Sequence, residues 1–280
     1  MPYFSLYFAA HIVIGVLYLL LAWRTLRMMP VPGAHATGPA RALPLIVAGH
    51  GALLAFDLFA AESFRFGFAL ALSVTVWLTV FFIWVEGFFV STRGLLPIVL
   101  PVAAACVVLP PLFPGSVVNQ AQDPLALRLH LLVAISAYSL LTIAALHALL
   151  MTSLDRQLHA PDTPGIGAQL FPQLSRQVPP LLAMERLLFQ LIGAGFALLT
   201  LTVISGVLFS EELFGRALRF DYKTVFTLLA WVIFGSLLAG RWIFGWRGRV
   251  ALRWTLTGFV MMFLAYVGSR FVLEVILHRV

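Results

Sequence analysis

Seven histidines are the side chains in this 280-residue sequence best suited to chemistry. Neutral imidazole is a common metal ligand and holds iron axially. Their positions in the apolar runs sort them. His35 and His159 fall in connections, His147 lies near the end of a run, and His11 and His50 lie within runs. His130 opens one run and His278 closes another, and both fall on the same side of the chain's alternating topology. Such a pair could clamp an iron from opposite faces. Each could equally be an interfacial residue hydrogen-bonded to a carbonyl or a lipid headgroup. For His50, a hydrogen bond to a neighbouring helix competes with ligation.

The second chemical feature is a cluster of charge. Arg216, Arg219, Asp221 and Lys223 fall close together in a chain with only 10% charged residues. Phe214, Phe220 and Phe226 punctuate the segment, which runs directly into an apolar helix. A segment of this kind at a membrane surface suits a polar or amphipathic ligand. It would also serve as an ordinary outer-leaflet loop, with Asp221 or Thr224 capping the next helix. Arg270 and Glu274, four apart on one helix face, pair with each other or offer Arg270 to a ligand carboxylate. Asp57 and Glu86 have no identifiable catalytic partner. The sequence contains no nucleophile elbow, phosphate loop or HExxH pair, and its single cysteine, Cys106, makes no CxxC.

The elements that position these groups are membrane helices. Hydrophobic residues make up 61% of the chain, and a spanning helix needs about 20 mostly apolar residues. About eight runs qualify, at 4–24, 43–61, 67–87, 95–113, 129–151, 188–208, 224–243 and 252–276. The fold class is therefore all-α, a polytopic membrane bundle forming a single domain over 1–280. Front helices occupy 1–153, a Pro-rich loop 154–187, and back helices 188–280. Arg24, Arg27, Arg41, Arg93, Arg156, Arg176, Arg186, Arg241, Arg247, Arg249 and Arg253 fall in connections of one side. Fewer basic residues fall opposite, so the first side is cytoplasmic and both termini lie on the outer, periplasmic face. The formal charge of +7 reports this orientation, and nucleic acid is not expected as a partner. A transporter usually shows two matching halves with broken helices, a pattern the sequence does not display.

The 214–231 segment resembles the tryptophan-rich motif of the cytochrome c assembly family. The likeness is to its CcsA-like proteins, and most closely to their YpjD/HemX-like branch. That motif runs Trp-Gly-x-x-Trp-x-Trp-Asp-x-Lys, with a further Trp beyond. Gly215, Asp221, Lys223 and Trp231 match it, while Phe214, Leu218 and Phe220 stand at its tryptophan positions. Leu264 to Leu277 is similar to the branch's C-terminus, and His130 with Ser136, Ala137 and Tyr138 to its helix opened by an outer-face histidine. The resemblance implies a multi-pass inner-membrane protein of haem trafficking, with haem as cofactor and other cytochrome c biogenesis proteins as partners. It implies His130 and His278 as axial ligands to the haem iron. Phe214 and Phe220 would then edge the platform, and Arg216 and Arg219 would meet the propionates. Such a protein would hold or move haem and would not be an enzyme. The competing expectation is a structural or regulatory membrane subunit that keeps the fold without haem.

Overall fold

The computed structural model describes residues 2–27, 39–60, 65–88, 95–117, 124–159, 181–214 and 222–265. Among them are eight α-helices: α1 Pro2–Arg27, α2 Pro39–Ala55, α3 Phe68–Glu86, α4 Leu96–Leu112, α5 Pro124–His159, α6 Leu181–Phe214, α7 Tyr222–Phe244 and α8 Gly248–Phe263. Each falls on one of the expected apolar runs. Five contain stretches long and apolar enough to cross a membrane: Leu6–Arg27, Phe68–Glu86, Leu129–Arg156, Leu182–Leu208 and Lys223–Phe244. Ala42–Leu58 and Leu96–Leu112 are apolar but shorter. At 1.5 Å per residue, the 17 residues of α4 reach about 26 Å, against about 30 Å of bilayer hydrocarbon. This is an all-α membrane protein. Large apolar side chains lie on its surface, such as Leu20 (55% exposed) and Leu201 (52%), where lipid rather than water suits them.

The chain forms two compact units, α1–α4 and α5–α8. The sequence placed a division at the 154–187 connection. The helix contacts instead group α5 with the three helices that follow it, because α5 packs on both α6 and α8.

In the first unit α1 packs on α2 and α4, and α3 packs on the same two, which closes a ring of antiparallel neighbours. A π turn, Phe56–Ala60, prolongs α2. Two short strands pair antiparallel across the bundle end, with Arg65 opposite Val117 and Phe66 opposite Ser116. They bring the connection after α2 against the one after α4, so both leave the same end of the unit. The Phe68 and Phe113 rings meet there, 5.2 Å apart. Gly51 is required in α2, since a Cβ on it would stand 2.9 Å from the Trp77 ring.

In the second unit α6 packs on α5 and α7, and α8 on α5 and α7. The end formed by the finish of α5 and α7 and the start of α6 and α8 is charged. Arg241 donates to Glu185 at 2.6 Å, with Arg247 3.9 Å away, and Arg249 donates to Asp155 at 2.7 Å. Trp246 folds its ring over Gly240 at this end, and its backbone N–H donates to the Gly240 carbonyl at 3.2 Å. Most buried hydroxyls in the helices bond a carbonyl one turn back, as Ser139 does to Ile135 at 2.8 Å and Thr255 to Ala251 at 2.8 Å. This satisfies them without a partner helix.

Candidate functional site

His130 stands in the first turns of α5, at the end of the second unit opposite its ion pairs, and is half-buried. Its Nδ1 lies 2.7 Å from Ser205 Oγ on α6. Ser205 Oγ is also 2.7 Å from the Leu201 carbonyl oxygen and 3.2 Å from that of Thr202. Two oxygens this close need a hydrogen between them, and a carbonyl has none to give. The single hydroxyl hydrogen is therefore donated to the helix backbone. The hydrogen between Ser205 and the ring must come from His130, so Nδ1 carries it and Nε2 carries the lone pair. The tautomer follows from the hydrogen-bond network. Next to Ser205, a Cβ on Gly206 would stand 3.6 Å from His130 Cε1, in ordinary van der Waals contact with the ring.

The same device recurs further down α6. Thr200 Oγ1 donates to the Phe196 carbonyl at 2.8 Å and accepts the indole N–H of Trp231, on α7, at 2.9 Å. The Phe196 and Trp231 rings stack with centroids 5.7 Å apart and planes 26° apart. One helix thus orients an imidazole from α5 and an indole from α7 through hydroxyls whose own hydrogens are committed to its backbone. Nothing in the sequence singled out Ser205, Gly206 or Thr200. A hydroxyl and a glycine in an apolar helix carry no signal until the facing rings are known.

Of the residues expected at the site, Lys223 is the second residue of α7, half-buried, at the same end of the unit as His130. Phe214 is the last residue of α6. Gly215, Arg216, Arg219, Phe220, Asp221 and His278 lie outside the described residues, as do Arg270 and Glu274. His50 belongs to the first unit and is fully buried. Its Nδ1 is 3.2 Å from the Tyr18 hydroxyl and its Nε2 is 3.0 Å from Ser73 Oγ. Both ring nitrogens therefore have hydroxyl partners. His147, also buried, donates Nδ1–H to the Ile143 carbonyl at 3.0 Å.

Among the described residues no three His, Cys, Asp or Glu side chains converge to hold a bare metal ion. A haem asks less of the protein, because its macrocycle supplies the equatorial donors and one or two side chains the axial ones. An imidazole fixed by a hydrogen bond at Nδ1 is the usual form of a histidine ligand, and His130 has that form.

A family model for the cytochrome C assembly protein matches residues 41–277. The chain belongs to the cytochrome c assembly protein family. The match covers the described helices from the start of α2 onward, including His130, Ser205 and Trp231. The inner membrane protein YpjD of Escherichia coli (strain K12) is 32% identical over 182 residues, 65% of this chain and 65% of that protein. The matched stretch thus spans slightly less than two thirds of that relative. A 28.8 kDa protein from the nifR3-like 5′ region of Azospirillum brasilense is 32% identical over 217 residues, 74% of this chain and 76% of the relative. The cytochrome c biogenesis protein CcsA of Gloeobacter violaceus is 33% identical over 91 residues, 32% of this chain and 27% of that protein. No solved structure matches the chain.

Proposed function

We propose that this chain binds haem at the His130 end of its second unit and serves cytochrome c assembly as a multi-pass protein of the bacterial inner membrane. The observation that carries the reading is the short contact that ties His130 Nδ1 to Ser205 Oγ in a member of this family; a ring that donates there would hold a haem iron through Nε2. The haem, when bound, supplies the redox-active iron; the chain holds and orients it and breaks no covalent bond. His278 would be the second residue to hold the iron. Phe214 and Phe220 edge the platform, and Arg216 and Arg219 take the propionates. Gly215, Asp221, Lys223 and Trp231 form the frame. His50 is left out of this set, because Tyr18 and Ser73 already occupy its nitrogens.

In this reading all eight helices span the bilayer and both termini lie on the outer face. The Arg241, Arg247 and Arg249 end is cytoplasmic, as the excess of arginine there supports. The His130 end then faces outward, and the partners are lipid, haem and other biogenesis proteins. The YpjD relative, an inner membrane protein by name, supports the location.

The test is an absorption spectrum of the protein purified in detergent, with and without added haem. A Soret band is expected in the wild type and its loss in His130→Ala. A protein that stays colourless and takes up no haem sinks the proposal. It would favour the second reading, a subunit that keeps the fold without haem, to which Phe214, Leu218 and Phe220 at the tryptophan positions already point.

A further inference from the structure

The first unit buries an imidazole and an acid that the haem reading does not use. His11 lies on α1, one turn beyond Tyr7, and is 1% exposed. Its Nδ1 is 2.9 Å from the Tyr7 carbonyl oxygen. A carbonyl only accepts, so Nδ1 carries the hydrogen and donates it. In a neutral ring Nε2 is then an acceptor, and it is buried with no hydrogen-bond partner. It faces Asp57 Oδ2 at 4.0 Å, an oxygen likewise buried and without a partner. The other oxygen, Asp57 Oδ1, accepts the Tyr7 hydroxyl hydrogen at 2.6 Å. Asp57 sits in the π turn that prolongs α2, the kind of local rewinding that aims a side chain for a purpose.

A neutral His11 beside an ionised Asp57 would set two acceptors against each other and leave a full negative charge in an apolar bundle. One proton removes both faults. Placed on Nε2 it makes an imidazolium–carboxylate pair; placed on Oδ2 it makes a neutral acid facing a neutral imidazole. We propose that Tyr7, His11 and Asp57 form a proton-binding site, in which one proton taken from water is held between His11 Nε2 and Asp57 Oδ2. Uptake takes the site from one negative charge to none, and release to water reverses it. Tyr7 serves both partners. Its carbonyl selects the ring nitrogen that faces the acid, and its hydroxyl anchors the acid's far oxygen.

Among the described residues, the other titratable or charged groups on the packed helices lie elsewhere or are held by other partners, and Arg41 opens α2 at the far end of the unit. His50 is held by Tyr18 and Ser73, and Cys106 is a buried thiol on α4. Glu86 ends α3, and Arg24 and Arg27 end α1, at the far end of the unit. Arg24 is about 20 Å from His11 along the helix axis.

The test uses the full chain in detergent at neutral pH, by nitrogen NMR of labelled histidine and by infrared difference spectra between wild type and variant. His11→Gln and Asp57→Asn assign the signals. At neutral pH either a doubly protonated His11 ring or a protonated-acid carbonyl band that Asp57→Asn removes is expected. A neutral His11 beside an ionised Asp57 overturns the proposal; a water donating to both acceptors would then hold the pair. Asp57→Asn also guards against a folding artefact, because its amide can donate to Nε2 with no proton added. In that variant the His11 ring should be neutral in the nitrogen spectrum, and a ring that stays doubly protonated counts against the site.

Discussion

Replacing Ser205 with alanine removes the oxygen that receives the His130 Nδ1 hydrogen. The imidazole then loses its fixed tautomer and orientation. On the haem reading, affinity should fall at least about 10-fold, the usual cost of removing the hydrogen-bond partner of a ligating histidine, in a haem titration followed by absorbance. Ser205→Thr keeps the hydroxyl and should stay close to wild type. Trp231→Phe keeps a ring to stack on Phe196 but loses the N–H to Thr200. It should cost about 1 kcal/mol of stability, read from unfolding in detergent. At this scale the sequence displayed the rings and concealed their partners. His130 stood out as an imidazole at the rim of an apolar run. Ser205 and Thr200 did not, because each bonds its own helix as most membrane hydroxyls do, and only the facing ring gives it a second role.

Close approach between α5 and α6 depends on Gly195. A Cβ there would fall 2.7 Å from Leu141 Cγ, and Leu141 is fully buried, with little room to move aside. Gly195→Val should therefore destabilise the second unit by about 1–3 kcal/mol through overpacking, seen as a lower thermal midpoint in detergent. Gly193, in the same small-residue run, has nothing within 4 Å of a built Cβ, so Gly193→Ala should be nearly neutral in the same assay. Two glycines two residues apart in an apolar helix do not show by themselves which one faces α5. All eight helices could be located from apolar length alone. The grouping of α5 could not, since a long Pro-rich connection marks a gap in the chain without saying which neighbours the flanking helices choose. The π turn and the two-residue strands are too short to leave a periodic trace.

For the whole chain, orientation is open to direct test. Single cysteines placed in a Cys106→Ala background at Arg249 and at Lys223 should label from opposite sides of inverted and right-side-out vesicles. Labelling of both from one side would break the alternating topology of the second unit. The arginine excess predicts this orientation from the sequence alone, because charge at the helix ends is set by how the chain inserts rather than by how it packs. The short pairing of Arg65–Phe66 with Ser116–Val117 has a consequence for synthesis. Its second strand follows α4, so the pairing cannot form until α3 and α4 have both left the ribosome. The first four helices therefore emerge before they are latched, and a nascent chain arrested inside α4 should hold its leading helices unclasped and open to protease.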